Sequence, residues 1–206
     1  MDQGQGELIK GLYALKPWYT RRLGGIVEGA VRRDVSPDVF TALGVLAGAA
    51  AAAAIWQGWW LPAGLLLALR LAGANLDGAV ARARGVSRPW GFVLNEIGDR
   101  SSDLLMYAGL AALAARTADG WTTGPVIAVL AAALAATLPT FASLAAAGAA
   151  ATRRNGGPLG KTERCALATL ATGIPAWLPW ISALMILGSL ATAALRLRAT
   201  HGELTR

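Results

Sequence analysis

A charged stretch, Asp77 to Asp103, lies between two strongly apolar segments of the sequence. On a helix, Asn95, Asp99 and Asp103 are spaced by four residues and share one face. A charged side chain inside a bilayer costs about 2.5 to 3.5 kcal/mol on insertion scales, so such a cluster indicates a functional site. Carboxylates beside arginines suit Mg²⁺ or Mn²⁺ bridging to a phosphate or diphosphate. The stretch therefore predicts a phosphate-binding site.

The composition is that of an integral membrane protein, since 55% of the 206 residues are hydrophobic and only 15% are charged. The net charge of +7 comes from short Lys and Arg groups between apolar segments. This pattern indicates membrane topology, so we expect the lipid bilayer as a partner and no nucleic acid. The single Cys165 and the single His201 leave oxygen atoms as the ligands of any metal.

Six apolar segments predict an all-α, polytopic membrane protein with six transmembrane helices. Ser36 is a candidate N-cap with Pro37 at the first helical position. Basic loops alternate with nearly uncharged ones, which predicts cytoplasmic N- and C-termini, and the Ala, Gly and Arg content suggests a bacterial plasma membrane. The fifth segment is short for a bilayer that needs about 20 residues. The predicted spans are 36–56, 61–82, 90–115, 123–149, 162–174 and 180–197.

The N-terminal residues differ from the rest of the chain. Residues 7–33 mix apolar and basic side chains, which predicts an amphipathic helix in the headgroup region, interrupted near Pro17. A partly ordered tail is the alternative. We therefore expect a juxtamembrane segment, 1–35, followed by one transmembrane domain, 36–200.

The charged stretch resembles the signature of the CDP-alcohol phosphotransferase family, D-x2-D-G-x2-A-R-x8-G-x3-D-x3-D. The first and third aspartates of that signature fall on Ala74 and Asn95. The resemblance extends to S-P-D-V-F-T before the first span and to G-K-T-E-R at 160–164. The positions that match are Asp77, Gly78, Ala81, Arg82, Gly91 and Asp99.

The resemblance implies a membrane enzyme that moves a phosphatidyl or related phospho group from a CDP-linked donor, such as CDP-diacylglycerol, to an alcohol and releases CMP. It also implies a homodimer. In the family, four aspartates hold two divalent cations, and the last aspartate is a candidate base for the acceptor hydroxyl. By charge, the two aspartates that remain, Asp77 and Asp99, balance one Mg²⁺, and they are the predicted catalytic residues.

The resemblance also suggests the remaining site residues. Asn95 is either a ligand or a hydrogen-bond partner between helices, and Asp103 is either a substitute metal ligand or a partner of Arg70 or Arg100. The fourth span lacks the Arg and Glu that many relatives with a phosphorylated acceptor place there, which disfavours an acceptor such as inositol phosphate, although Lys161 and Arg164 remain available to an anionic group. The predicted metal ligands are Asp77, Asp99 and Asp103, and the predicted substrate-binding residues are Gly78, Arg82, Gly91, Asn95, Lys161 and Arg164.

Two other functions are consistent with the sequence. The same fold with a reduced metal site would suit ionisation of a prenyl diphosphate by a Mg²⁺-dependent terpene cyclase or lyase, with the Ala-lined fourth span leaving apolar room. A non-catalytic relative that binds lipid or nucleotide would retain the charged cluster as a buried ion-pair network. The released product distinguishes the three, because only the transferase yields CMP.

Overall fold

The computed structural model describes residues 21–206, and every regular element in that range is helical. This confirms the all-α prediction for these residues. The first part of the predicted amphipathic helix, residues 7–20, lies outside them. The elements are α1 (Gly24–Arg32), α2 (Pro37–Gln57), α3 (Trp60–Ala83), α4 (Pro89–Thr117), α5 (Gly124–Gly148), α6 (Lys161–Gly173), a 3₁₀ turn (Pro175–Trp177) and α7 (Leu178–Leu204).

Local sequence determines where several helices begin and end. Ser36 Oγ accepts a hydrogen bond from the Asp38 N–H at 3.4 Å, as expected of an N-cap. Helix α2 ends at Gly58, whose φ of +78° lies in the left-handed region that favours glycine. At the start of α6, the Glu163 carboxylate accepts from the Gly160 N–H at 2.9 Å. Each of the six predicted apolar spans overlaps one helix, and α7 continues beyond its predicted span to Leu204.

Four candidate spans among the described residues, namely α2, α3, α5 and α7 with its preceding turn, are long and apolar enough to cross a membrane. Helix α4 has 29 residues, but its charged face lowers its hydropathy, and α6 has only 13 residues. Large apolar side chains face outward, and Leu134, Phe141 and Leu187 are at least 67% exposed. These features are those of a multi-pass membrane protein.

Small residues let the helices pack closely around the site. Helix α2 packs against α3 and α4, α5 packs against α7 and α4, and α6 packs against α3. At Gly109 in α4, an added Cβ would lie 2.6 Å from the Ala52 carbonyl oxygen, so only glycine permits this approach to α2. This packing brings the C-terminal half of α3 and the N-terminal half of α4 together beside the start of α2.

Candidate active site

The four aspartate positions of the sequence motif line one small cavity between α3 and α4. Ala74 and Asp77 contribute from α3, Asn95 and Asp99 contribute from α4, and Thr41 contributes from α2. The cavity volume is about 10 Å³, close to the space that one water molecule occupies. The fold thus brings the motif positions together, with an alanine and an asparagine in place of two carboxylates.

Asp77 is 5% exposed and accepts hydrogen bonds from neutral donors. Thr41 Oγ1 donates to Oδ2 at 3.0 Å, and the Gly78 N–H donates to Oδ1 at 2.5 Å. Sequence reasoning did not assign Thr41 to the site. The signal that could have identified it is its place as the last residue of S-P-D-V-F-T, the segment that resembles the family's entry to the first span.

Asp99 forms an ion pair with Lys161, the first residue of α6. Lys161 Nζ donates to both carboxylate oxygens, at 3.0 and 2.8 Å. The side chains of Asp99 and Lys161 are 16% and 26% exposed, so the pair lies at the edge of open space. A predicted catalytic residue and a predicted substrate contact are therefore direct partners.

Asp103 lies one turn farther along α4 and pairs with three arginines. Arg70 Nη2 lies 2.5 Å from Oδ1, while Arg164 Nη2 and Arg100 Nη1 lie 2.8 and 2.9 Å from Oδ2. The structure therefore supports the arginine-partner alternative for Asp103, because a metal would have to displace guanidinium groups from both oxygens. Arg164 is 3% exposed and neutralises Asp103, and its predicted contact with substrate stays a prediction.

The second cavity, called here the loop-side cavity, has a volume of about 560 Å³ and opens beside Asp77. Four residues predicted to bind substrate line it, namely Gly78, Arg82, Gly91 and Asn95. A Cβ at position 78 would lie 3.1 Å from Arg82 Nη1, so the guanidinium lies directly over this glycine. No acidic side chain within residues 21–206 forms a salt bridge with Arg82. This cation is therefore suited to an anionic ligand.

Ion pairs connect the two segments that border the loop-side cavity. Arg84, just after α3, pairs with Asp34 and donates to the Val35 carbonyl oxygen at 2.5 Å. Arg88, just before α4, pairs with Asp38 in the first turn of α2. These contacts hold the α3–α4 loop against the link between α1 and α2.

The third cavity, called here the bundle cavity, has a volume of about 380 Å³ and lies between α3, α4, α5, the loop after α5, α6 and α7. It shares Ala74, Asn95 and Asp99 with the small cavity. Asn95 also lines the loop-side cavity, so its side chain borders all three spaces. Charged side chains line much of the bundle cavity, and they are Glu96, Asp99, Arg100, Arg153, Lys161, Glu163, Arg164 and Arg196.

Arg153 and Arg196 were not among the predicted site residues. Arg153 pairs with Glu96 and lies over the Phe92 ring, 4.8 Å from its centroid. Arg196 donates to the Asn155, Gly156 and Pro139 carbonyl oxygens at 2.8, 2.9 and 2.7 Å. The sequence signal that could have identified Arg196 is its position at the end of an apolar segment, because a charged side chain there is rare unless it has a buried partner.

The donor set at the small cavity fits one divalent cation. Within residues 21–206, no three His, Cys, Asp or Glu side chains are grouped to hold a metal. The oxygen donors that line the cavity are the Asp77 and Asp99 carboxylates, the Asn95 amide and the Thr41 hydroxyl. Mg²⁺ is commonly bound by one or two carboxylates together with substrate phosphates and water. These residues therefore suit a cation that a phosphate ligand helps to hold.

Comparisons with known sequences identify relatives of similar length. The chain is 28% identical to the phosphatidylinositol phosphate synthase of Mycolicibacterium smegmatis over 159 residues, which cover 76% of this chain and 69% of that protein. It is 31% identical to the enzyme of the same name from Mycobacteroides abscessus over 184 residues, or 85% and 82% of the two chains.

Solved structures of the phosphatidylinositol phosphate synthase of Mycobacterium tuberculosis share the fold. One, with CDP-DAG bound, has a TM-score of 0.74 and 27% identity, covering 87% of this chain and 94% of that one. Another, in complex with manganese and citrate, has a TM-score of 0.72 and 26% identity, covering 85% and 87%. The sequence model of CDP-alcohol phosphatidyltransferase matches residues 34–199. The chain therefore belongs to the CDP-alcohol phosphatidyltransferase family of enzymes.

Proposed function

We propose that the protein transfers the phosphatidyl group of CDP-diacylglycerol to the hydroxyl of an alcohol and releases CMP, as a step of phospholipid biosynthesis. The observation that carries this proposal is that three cavities meet at one residue. Asn95 borders the loop-side cavity, the small cavity and the bundle cavity. A donor in the loop-side cavity and an acceptor in the bundle cavity would meet at the motif residues.

The loop-side cavity suits the diphosphate of the donor. Arg82 offers a guanidinium that can bind two phosphate oxygens at once, and the absence of a side chain at Gly78 lets this guanidinium lie close to the backbone beside the cavity. Asp77 borders the same cavity next to these residues. CDP-DAG bound to the relative from Mycobacterium tuberculosis supports this choice of donor.

The reaction breaks the phosphoanhydride bond of the donor and forms a phosphate ester to the acceptor. The acceptor oxygen attacks the phosphorus that carries diacylglycerol, the bond from that phosphorus to the bridging oxygen breaks, and CMP leaves with the electron pair. The hydroxyl proton passes to a carboxylate, and Asp99 borders both the small cavity and the bundle cavity. A divalent cation held by Asp77 and Asn95 with the donor phosphates would stabilise the charge on the leaving group.

We also propose that the acceptor alcohol carries an anionic group. Helix α5 contributes no charged side chain to the bundle cavity, but cations from other elements line it, including Arg100, Arg153 and Lys161. The names of the relatives, phosphatidylinositol phosphate synthases, support the same class of acceptor. The charged lining disfavours a prenyl chain, which would need an apolar cavity.

The proposed enzyme is a homodimer in a bacterial plasma membrane. The transmembrane domain, 36–200, has six spans, with α4 and α6 added to the four candidates, and its termini are cytoplasmic. The described part of the juxtamembrane segment, residues 21–35, lies at the membrane interface. The charged face of α4 supports its inclusion, because these side chains face partners inside the bundle rather than lipid.

A release assay with matched acceptors tests the function. Purified protein with Mg²⁺ or Mn²⁺ receives CDP-diacylglycerol and either inositol, inositol phosphate, glycerol or glycerol phosphate, and a separate sample receives a prenyl diphosphate. We expect CMP release that depends on the acceptor and is greater with each phosphorylated alcohol. Pyrophosphate from the prenyl substrate without CMP from the donor would indicate the terpene reaction. No product from either substrate would indicate a non-catalytic protein.

A further inference from the structure

We propose that the Lys161 ammonium serves as a built-in cation at Asp99, so that the site takes up a single divalent cation, at Asp77. The inference deepens the proposed function and rests on it for the use of a divalent cation. It assigns different roles to the two motif carboxylates, both of which the resemblance implies as metal ligands.

The first support is the geometry of the ion pair. Lys161 Nζ lies 3.0 and 2.8 Å from the two Asp99 oxygens, so both oxygens are directed to one ammonium group. The Asp99 backbone carbonyl accepts from Arg70 Nη2 at 3.2 Å, which fixes this turn of α4 against α3. A divalent cation on Asp99 would have to displace the ammonium or lie beside it, and like charges at that distance repel strongly.

The second support is the charge around the small cavity. The positions of the motif supply two carboxylates, Asp77 and Asp99, and two neutral side chains, Ala74 and Asn95. Lys161 neutralises one of the carboxylates, which leaves one negative charge. That balance favours a single divalent cation completed by an anionic ligand over two such cations.

The third support is the difference between the partners of the acidic residues. Asp103 is fully engaged by Arg70, Arg100 and Arg164. Among the described residues, 21–206, the donors to Asp77 are the Thr41 hydroxyl and a backbone N–H, both of which are neutral. Asp77 is therefore the carboxylate at which a cation would meet no ammonium or guanidinium in direct contact.

The position of Lys161 also suggests what the built-in cation does. Lys161 borders the bundle cavity, where the acceptor is proposed to bind, whereas Asp77 borders the loop-side cavity. The lysine would hold the Asp99 carboxylate in place at the acceptor side, and the divalent cation would act at the donor side. Lys161 is thus assigned as a positioning residue.

Counting bound Mn²⁺ tests the inference without measuring turnover. Full-length protein in a neutral detergent is dialysed to equilibrium against Mn²⁺ with and without CDP, and bound Mn²⁺ per chain is measured by electron paramagnetic resonance. With CDP we expect one Mn²⁺ per chain in the wild type, one in Asp99→Asn and none above background in Asp77→Asn. Lys161→Met keeps a long apolar stem without the charge and leaves the Asp99 carboxylate beside the diphosphate of CDP, whose negative charge balances a second Mn²⁺, so this variant should bind two. The matched control Lys161→Arg should bind one.

Several results would overturn the inference: two Mn²⁺ or none in the wild type, loss of Mn²⁺ in Asp99→Asn as complete as in Asp77→Asn, or one Mn²⁺ in Lys161→Met. Thermal unfolding followed by tryptophan fluorescence identifies any variant that fails to fold, and if Lys161→Met is one of them, the contrast between Asp77→Asn and Asp99→Asn tests the inference. The proposed function has its own test, which is CMP release by the wild type. A failure of the Mn²⁺ count would leave that result unchanged.

Discussion

Arg70 Nη2 donates to Asp103 Oδ1 at 2.5 Å, and the two side chains are 1% and 5% exposed. Arg164 of α6 pairs with the other oxygen of the same carboxylate. Asp103 therefore joins α3, α4 and α6 one turn from Asp99, the residue proposed to receive the acceptor proton. Asp103 does not line the small cavity. Its ion pairs instead fix α4 against α3 and α6, and they thereby help to position the other carboxylates of α4.

Removing the charge of Asp103 should destabilise the protein. Asp103→Asn leaves buried guanidinium groups without their carboxylate, and breaking a buried ion pair in this way costs about 3 to 5 kcal/mol. Denaturant unfolding in detergent micelles measures the free energy. The control is Asp119→Asn, at an exposed turn residue with a φ of +52° that asparagine tolerates. Equal losses in the two variants would contradict the assigned role of Asp103.

Arg82→Gln should weaken use of the donor. An ionic hydrogen bond is worth about 1.5 to 3 kcal/mol, so kcat/KM for CDP-diacylglycerol should fall about 10- to 100-fold. CMP release at varied donor concentration gives this ratio. Arg198→Gln removes an exposed arginine on α7 and should leave kcat/KM unchanged. An unaltered ratio in Arg82→Gln would remove Arg82 from the donor site.

Arg196→Lys should loosen the loop between α5 and α6. One ammonium group cannot replace the separate hydrogen bonds from Nε, Nη1 and Nη2 to the Gly156, Pro139 and Asn155 carbonyl oxygens. Amide hydrogen exchange in residues 149–160 should accelerate by about tenfold or more, as expected for loss of an ionic hydrogen bond. If amide exchange in residues 149–160 is equally fast in Arg196→Lys and in the control Arg198→Lys, Arg196 does not hold the loop.

The proposed six-span topology predicts opposite sides for two loops. In a Cys165→Ser background, Ser87→Cys lies in the exposed loop before α4, and Thr122→Cys lies in the exposed loop after it. An impermeant maleimide added to intact cells should label position 122 and reach position 87 only after permeabilisation. Labelling of both positions from one side would mean that α4 does not cross the membrane.

The helices were predictable because their signals are local. Apolar length, the Ser36 cap and Pro37 locate α2 within a residue of its observed start. The predicted starts of α3 to α6 are also within one residue, whereas α7 begins two residues before its predicted start. The extent of α7 was underestimated, since its last turns carry polar residues that remain helical beyond the apolar segment. Hydropathy alone does not identify α4 as a transmembrane helix, because the charged residues on its inner face lower its mean hydropathy.

The partners of the charged residues were not predictable from spacing. Lys161 and Asp99 are 62 positions apart in the sequence, and only the packed bundle brings them together. Spacing left Asp103 with two alternatives, and its ion pairs with arginines of three helices support the alternative of an arginine partner. The sequence motif predicted most of the candidate site residues but not Thr41, and the arrangement of three cavities around Asn95 required the structure.

The most direct test of the central claim is the ratio of the two products of a single reaction. Purified protein is given CDP-diacylglycerol labelled in the diacylglycerol phosphate, a phosphorylated alcohol and Mn²⁺, and CMP and labelled lipid are quantified together. The account predicts equimolar CMP and a new phospholipid that retains the label, with both lost in Asp77→Asn. CMP without a new phospholipid, or equal product from wild type and Asp77→Asn, would contradict it.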